Sequence, residues 1–257
     1  MTIPQFPTGT PNWVDIGTSD VDGAVAFYTQ LFGWTYADFG PDAGGYGAFL
    51  KDGKQVAGVG PTTDPAQGTS WATYLATDNA GATTDKVEAA GGKVIMAPMQ
   101  VMDQGIMAVF ADPAGAFISV WQPGAHQGVE VMQEPGSLTW AELMTSDIAA
   151  AKAFYERVFG VSTRDVDAGD GGTYTLIEAG GKSVAGAMEI RPEWGPMPSH
   201  WSIYFEVDNC DAIADQAVQL GGTEMTRQDS PAGRFANLAD PQGGAFSIIK
   251  TDPDFSM

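Results

Sequence analysis

The chain has 257 residues, 44% of them hydrophobic and 17% charged, which suits one large folded domain or two ordinary ones and argues against disorder. Its 12 Lys and Arg against 32 Asp and Glu give a net charge of −20, a field that repels nucleic acid and anionic membrane surfaces. No signal-peptide pattern opens the sequence, no apolar run could span a bilayer, and the single cysteine excludes an internal disulfide, so we expect a soluble cytoplasmic protein.

The first predicted element is a strand in the stretch WVDIGTSD, residues 13–20. Its last residue, Asp20, is a plausible helix N-cap, and the helix that follows is predicted to end at Gly33. Apolar residues recur within it at helical spacing: Ala24, Phe27, Tyr28, Leu31 and Phe32. Short strands joined by turns follow, so residues 10–61 read as strand, helix and three strands.

A second unit of the same form is predicted over residues 69–123. It opens with WATYLATD at 71–78, where a Trp again stands seven residues before an Asp, and in every unit this Asp is a plausible helix N-cap. A DPxG turn at 112–115 precedes its last strand. The first half of the chain therefore contains the same unit twice.

The second half repeats the first. Residues 140–161 match 13–34 at ten of 22 positions. Further units are predicted at 136–190 and 199–251, the last with WSIYFEVD at 201–208 and a DPxG turn at 240–243. We therefore predict two domains, 10–123 and 136–251, joined by a linker at 124–135.

Four βαβββ modules with a TSD…AFY…FG opening and DPxG turns resemble the vicinal oxygen chelate superfamily. That superfamily includes glyoxalase I, bleomycin resistance proteins and extradiol dioxygenases. The resemblance implies an α+β fold with four tandem βαβββ modules in two concave, antiparallel-sheet, glyoxalase-like domains. It also implies a divalent metal bound by His, Gln or Glu at the head of a module's first strand and by Glu on its last strand.

The sequence departs from that metal-binding pattern. The strand-head positions hold tryptophan, which offers no lone pair to a metal, and serine stands at both expected Glu positions: Trp13, Trp71, Trp140, Trp201, Ser119 and Ser247. We therefore expect no metal cofactor. A divalent metal remains an alternative if Asp15, Glu142 or His200 were recruited as ligands.

Strand alternation places Asp15 on the face of Trp13, and Glu142 on the face of Trp140. An indole beside a carboxylate suits a planar, neutral or cationic molecule. Arg234, matched by Ile106 in the first half, is either an anion-binding residue or an edge-strand charge. The predicted ligand-binding residues are Trp13, Asp15, Trp71, Ser119, Trp140, Glu142, Trp201, Ser247 and Arg234.

These patterns leave three functions open, and no catalytic residue is assigned. The first is a metal-free protein that binds a small organic molecule in Trp-lined acidic cups, in detoxification or resistance. The second is a glyoxalase-like lyase or a metal-dependent dioxygenase or isomerase with atypical ligands. The third is a structural module whose cups are filled by side chains. We expect the partner to be a small organic molecule, with no nucleic acid or membrane, and the chain to be a monomer or a homodimer.

Overall fold

A computed structural model describes residues 6–62, 68–168 and 172–255, and the βαβββ unit recurs in it four times. The first module comprises β1 (Pro11–Thr18), α1 (Val21–Phe32), β2 (Thr35–Asp38), β3 (Gly47–Lys51) and β4 (Lys54–Pro61). The second comprises β5 (Ser70–Ala76), α2 (Ala80–Ala89), β6 (Lys93–Val101), β7 (Gly105–Ala111) and β8 (Phe117–Pro123).

The second half repeats this order. The third module comprises β9 (Leu138–Thr145), α3 (Ile148–Phe159), β10 (Ser162–Asp167), β11 (Thr173–Ala179) and β12 (Lys182–Glu189). The fourth comprises β13 (His200–Glu206), α4 (Cys210–Gln219), β14 (Thr223–Ser230), β15 (Gly233–Ala239) and β16 (Ala245–Thr251). The predicted α+β class and the four modules are thus confirmed.

Local signals explain where the helices of the first and third modules begin and end. The Asp20 carboxylate accepts a hydrogen bond from the Gly23 N–H at 2.9 Å, and α1 ends at Gly33, which has a left-handed backbone with φ of 70°. Asp147 caps α3 in the same way, and Gly160 ends it. Such caps each contribute about 1 kcal/mol.

The second and fourth modules use a different cap from the one predicted. Asn79 caps α2 and Asn209 caps α4 through their side-chain oxygens. Asp78 and Asp208, which the sequence pattern suggested as caps, each precede the true cap by one residue. The strands β5 and β13 are therefore shifted by one residue relative to the predicted alignment.

The strands form two eight-stranded sheets, one in each half of the chain. Their orders are β2-β3-β4-β1-β5-β8-β7-β6 and β10-β11-β12-β9-β13-β16-β15-β14. Each module's first and last strands run parallel, because the helix crossover separates them, whereas the hairpins are antiparallel. Both sheets are thus mixed and not antiparallel throughout.

The chain also divides into two compact units that do not follow the halves. One contains Met1–Trp13, Thr73–Gly128 and Ala141–Ser202, and the other Val14–Ala72, Val129–Trp140 and Ile203–Met257. Each unit therefore combines one module from each half, the second with the third or the first with the fourth. The predicted domain boundaries at 10–123 and 136–251 stay predictions.

Each unit has its own hydrophobic core. In the unit of the first and fourth modules, both modules contribute large buried side chains, among them Tyr28, Phe49, Phe205 and Phe246. In the other unit they come from the second and third modules: Phe110, Leu143, Phe154 and Tyr155. Among the described residues, no helix is long and apolar enough to cross a membrane.

Candidate functional site

Strands β1 and β9 each send alternate side chains to opposite faces of their sheet. Val14 and Ile16 are buried in the core beneath the helices, so Asp15 lies on the opposite face, which we call the helix-free face. On β9, Leu143 packs into the core and Glu142 lies on the helix-free face. Both carboxylates are partly buried.

Asp15 accepts a hydrogen bond from a tyrosine. The Tyr46 hydroxyl, just before β3, donates to Asp15 Oδ2 at 2.9 Å. The Tyr46 ring lies against glycines of β4, and Gly58 is the register partner of Asp15. A Cβ at Gly58 would stand 2.0 Å from the Tyr46 hydroxyl, and one at Gly60 would stand 2.7 Å from the ring. The tyrosine reaches the carboxylate because the residues beneath it have no side chains.

The same arrangement occurs in the second half. The Tyr174 hydroxyl of β11 donates to Glu142 Oε2 at 2.8 Å. Gly186 of β12 is the register partner of Glu142, and a Cβ there would stand 1.8 Å from the Tyr174 hydroxyl. The carboxylate–tyrosine–glycine arrangement is therefore built twice, with Glu replacing Asp.

These two carboxylate–tyrosine pairs give the helix-free faces a polar, acidic centre. A hydrogen bond to an ionised group typically contributes about 1.5–3 kcal/mol. A carboxylate held in this way can accept a hydrogen bond from a ligand N–H or O–H, or attract a cationic group. It can also act as a general base if a ligand proton comes within reach.

Tyr46 and Tyr174 stand at matching strand positions in the two halves and could offer hydroxyls, but packing was the favoured interpretation and they were not among the predicted ligand-binding residues. The sequence carried a signal for them, because the matched segments DGKQVAGVG and GGKSVAGAM keep Gly58 and Gly186 at the same position. Glycine inside a predicted strand indicates a close approach by another group. What the segments do not show is which side chain makes that approach.

The other predicted residues of the helix-free faces are placed as follows. Trp13 is 4% exposed, and its ring centroid lies 4.3 Å from that of His126. Trp140 is half-buried on the Glu142 face of β9. Ser119 and Ser247 are buried on the helix-free faces of β8 and β16, and Ser247 Oγ donates to Asn237 Oδ1 at 2.7 Å. Whether any of them binds a ligand stays a prediction.

The expectation that all four tryptophans occupy equivalent positions is wrong for Trp71 and Trp201. Both lie on the helix side and pack against the cores. The cause is the shifted N-cap, because counting back seven residues from Asn79 and Asn209 gives Ala72 and Ser202. A shift of one residue moves a strand side chain to the other face.

Trp71 and Trp201 instead belong to two hydrogen-bonded chains in the cores. Trp71 Nε1 donates to the Tyr28 hydroxyl at 2.9 Å, and that hydroxyl donates to Asp240 Oδ2 at 3.0 Å. Trp201 Nε1 donates to the Tyr155 hydroxyl at 2.9 Å, which donates to Asp112 Oδ2 at 3.3 Å. Burial, together with the adjacent carboxylate, raises the pKa of both tyrosines.

Arg234 and His200 are placed away from the carboxylate–tyrosine pairs. Arg234 forms ion pairs with Asp211 and Asp229 on an exposed surface, at 2.9 and 3.2 Å. The predicted alternative of an edge-strand charge is wrong, because β15 pairs with β14 on one side and β16 on the other. His200 Nδ1 lies 2.8 Å from the carbonyl oxygen of Pro198 at the start of β13. Among the described residues, no hydrogen bond or ion pair joins Arg234 or His200 to Asp15 or Glu142.

The residues at the superfamily's metal positions do not fit a metal. With the corrected alignment, the strand heads hold Trp13, Ala72, Trp140 and Ser202, and the last strands of the second and fourth modules hold Ser119 and Ser247. None offers an imidazole or a carboxylate. Within the described part of the chain, no three His, Cys, Asp or Glu side chains are grouped to hold an ion.

Comparison with known proteins places the chain in a family. A model of the glyoxalase/bleomycin resistance protein/dioxygenase superfamily matches residues 10–120, and a glyoxalase-like domain model matches 140–249. The anthracycline biosynthesis protein DnrV of Streptomyces peucetius is 43% identical over 96% of this chain and 94% of its own. The putative glyoxylase CFP32 of Mycobacterium tuberculosis is 40% identical over 97% of each.

Solved structures share the fold at low sequence identity. The Mn(II)-bound glyoxalase from Novosphingobium aromaticivorans has a TM-score of 0.65 at 18% identity and covers 98% of this chain and 86% of its own. The 2,3-dioxygenase LapB from Pseudomonas sp. KL28 has a TM-score of 0.64 at 15% identity, with 97% and 96% covered. The two family models span most of the chain, so the protein belongs to the glyoxalase/bleomycin resistance protein/dioxygenase superfamily.

Proposed function

We propose that the protein binds a small, flat organic molecule, neutral or cationic, on the helix-free faces of its sheets, without the metal usual in its superfamily. The proposed role is sequestration of that molecule, in detoxification or resistance. The observation that carries the proposal is the carboxylate–tyrosine pair that occurs twice, as Asp15–Tyr46 and Glu142–Tyr174.

The charge and the neighbouring side chains support this ligand class. Asp15 and Glu142 lie on the same strand faces as Trp13 and Trp140, and the chain's net charge is −20. A negative field with indole surfaces favours cations and flat rings over anions. The anthracycline biosynthesis names of two relatives point to the same class, since anthracyclines are flat fused-ring compounds.

The test is a calorimetric titration of the protein with flat probes of different charge. Proflavine serves as the cation, daunorubicin as the anthracycline, and pyrenesulfonate as the flat anion. We expect the first two to bind and the anion to bind far more weakly. Asp15→Asn and Glu142→Gln should each weaken binding at the affected face by roughly 1–3 kcal/mol.

A matched control removes one negative charge elsewhere. Asp85→Asn lies on an exposed surface of α2 and should leave binding unchanged. Equal binding of pyrenesulfonate and proflavine, or wild-type affinity in both site variants, would contradict the proposed ligand chemistry.

A second candidate is an enzyme, either a glyoxalase-like lyase or a metal-dependent dioxygenase or isomerase with atypical ligands. Two relatives bear the name putative glyoxylase, and a carboxylate bonded to a phenol can transfer a proton. Glyoxalase activity or catechol cleavage that a chelator abolishes and one divalent metal restores would favour this candidate.

A further inference from the structure

The segment that follows β8 folds back onto the β6–β7 turn. The N–H groups of Gly124 and His126 donate to the carbonyl oxygen of Gln104 at 2.9 and 3.1 Å, and that of Ala125 donates to Asp103 at 3.0 Å. A Cβ at Gly124 would stand 2.7 Å from the Asp103 oxygen. These three hydrogen bonds hold residues 124–126 beside the turn.

This segment packs an imidazole against two indoles. The His126 ring centroid lies 4.3 Å from that of Trp13, with the rings at 83°, and 5.5 Å from that of Trp121, at 66°. Trp121 Nε1 also donates to the His126 carbonyl oxygen at 2.9 Å. Edge-to-face geometry of this kind is one of the two favoured arrangements of aromatic rings, the other being offset stacking.

Both indoles lie on the helix-free face. Trp121 is flanked on β8 by Val120, which is fully buried in the core, so its own side chain points the opposite way. Trp121 is itself 6% exposed, and Trp13 4%. A Cβ at Gly105 would stand 2.5 Å from the Trp121 ring, so a glycine is required beneath it.

An apolar surface continues from this pair of indoles. Met107 is the register partner of both Trp121 and Met99, and Met99 is 46% exposed. Val109 and Met96 are paired in the next row of the same face. Methionine side chains adapt to ligands of different shape. The surface therefore suits the rest of a flat, apolar molecule.

We propose that the space between Trp13 and Trp121 is a binding subsite for one flat ring of the ligand, and that His126 is an intramolecular occupant which the ligand displaces. The inference rests on the proposed function and assigns its aromatic subsite. The imidazole contacts both indoles at steep angles, so a ring that replaces it would contact the same two indoles. Because residues 124–128 must move aside, the measured affinity is reduced by the fraction of molecules in which the subsite is closed.

The subsite is specific to the first half. Trp121 stands nine residues after Asp112 of the first DPxG turn, and His126 stands fourteen residues after it. The corresponding positions after Asp240 of the second DPxG turn hold Ile249 and Asp254. An aliphatic side chain and a carboxylate cannot reproduce a ring held between two indoles. The two halves therefore differ in what they recognise, although both retain the carboxylate–tyrosine pair.

The experiment titrates proflavine into the wild-type chain and its variants and follows fluorescence polarisation. His126→Ala empties the subsite and should bind proflavine about tenfold more tightly, since two ring contacts no longer compete. His126→Phe keeps a flat ring in place and should bind no more tightly than wild type. His200→Ala, the matched histidine control on β13, should not change the affinity. Thermal unfolding midpoints verify that each variant is folded.

The outcomes separate the subsite from the proposed function. Tighter binding by His126→Ala, including binding that appears only in this variant, supports the subsite. If wild type binds proflavine, Asp15→Asn weakens it and His126→Ala has unchanged or weaker affinity, the displaced-histidine inference is overturned while the proposed function stands. If no variant binds proflavine or daunorubicin, both are overturned.

Discussion

The hydroxyl of Tyr28 donates a hydrogen bond to Asp240 Oδ2 at 3.0 Å, across 212 residues of sequence. Tyr28 lies on the buried side of α1, and Asp240 begins the DPxG turn before β16. The other Asp240 oxygen accepts the N–H groups of Gln242 and Gly244 at 2.9 and 2.8 Å. One carboxylate thus shapes a turn of the fourth module and ties it to the helix of the first.

Removing the hydroxyl of this tyrosine should destabilise the fold. In Tyr28→Phe, both Trp71 Nε1 and one Asp240 oxygen lose a buried partner, and Tyr155→Phe does the same to Trp201 and Asp112. We expect each change to lower the free energy of unfolding by about 1–3 kcal/mol. Urea unfolding at neutral pH measures the loss.

The control for this prediction is Tyr36→Phe. The Tyr36 hydroxyl has no hydrogen bond to any described residue, and its side chain is only half-buried. Its removal should change the free energy of unfolding by less than about 0.5 kcal/mol. If Tyr36→Phe and Tyr28→Phe lowered the free energy of unfolding equally, the Trp71–Tyr28–Asp240 hydrogen bonds would contribute no more than a hydroxyl without a hydrogen bond.

The same carboxylates should give stability a defined pH dependence. Burial raises the pKa of Asp112 and of Asp240 above the ordinary value of 3.8, despite the hydrogen bonds that lower it. The folded state therefore binds these protons more tightly than the unfolded state does. The stability that Asp112 and Asp240 contribute through proton binding is complete below pH 3.8, and it is lost as pH rises through their raised pKa.

Asp240→Asn isolates this effect, because asparagine does not titrate. The stability difference between wild type and Asp240→Asn should narrow as pH rises above 3.8. Hydrogen bonds from Lys152 and Arg234 lower the pKa of Asp165 and of Asp211, so these two groups make stability rise with pH. Both proteins contain them, and their effect therefore cancels in the difference between wild type and Asp240→Asn. A gap that widens with rising pH would contradict the raised pKa.

The fold was predictable because its signals are local and repeated. The helix pattern of Ala24, Phe27 and Tyr28, the caps at Asp20 and Asp147, and the glycine ends required no knowledge of distant contacts. The pairing of the first module's core with the fourth's was not predictable. It depends on which buried faces meet, and each face is apolar enough to pack against any of the others.

The site was predictable only in part. Alternation assigns Asp15 to a strand face, but it does not show that Tyr46 crosses Gly58 to reach that carboxylate. At β5 and β13, Asp and Asn stand side by side, and both are good N-caps, so the sequence alone favours neither. The choice of cap decides whether Trp71 and Trp201 lie in the core.

Cys210 should be nearly inert in the folded protein. The thiol is 2% exposed, and burial raises its pKa to about 11, with a further contribution from Asp211. At pH 8 only about one thiol in a thousand is then ionised, and the thiolate is the reactive form. Reaction with Ellman's reagent should be at least about 100-fold slower than in urea-unfolded protein. Similar rates in the two states would mean that the thiol is accessible.

The metal content of the purified protein should be far below one ion per chain. The superfamily's ligand positions hold Trp13, Trp140, Ser119 and Ser247, which provide no imidazole or carboxylate. Elemental analysis of protein purified without a metal-chelating tag measures this directly. The prediction would be refuted by near-stoichiometric Zn, Ni, Fe or Mn that a chelator removes together with glyoxalase or catechol-cleaving activity.

Alanine in place of the glycine beneath each tyrosine should disrupt the carboxylate–tyrosine pair with little damage to the fold. In Gly58→Ala the new Cβ would stand 2.0 Å from the Tyr46 hydroxyl, and in Gly186→Ala it would stand 1.8 Å from the Tyr174 hydroxyl. The tyrosine atoms are the outer ends of side chains, so each ring can rotate away, whereas Asp15 Cβ, 2.9 Å from the new Cβ at Gly58, requires a small shift of β1 or β4. The expected loss of stability is about 1.5–3 kcal/mol, the contribution of one hydrogen bond to an ionised group.

A double-mutant cycle separates this mechanism from general strain in the strand. Gly58→Ala should cost much less in a Tyr46→Ala background, where no ring is left to collide, giving a coupling of about 0.5 kcal/mol or more. Gly17→Ala is the control on β1, since its Cβ would meet the nearest atom at an ordinary 3.7 Å. Proflavine binding should fall in Gly58→Ala as it does in Asp15→Asn, and stay unchanged in Gly17→Ala. If the stability losses of Gly58→Ala and Tyr46→Ala were additive and Gly58→Ala bound proflavine as wild type does, the glycine would be needed only for the strand conformation. The tyrosine would then have no part in the site.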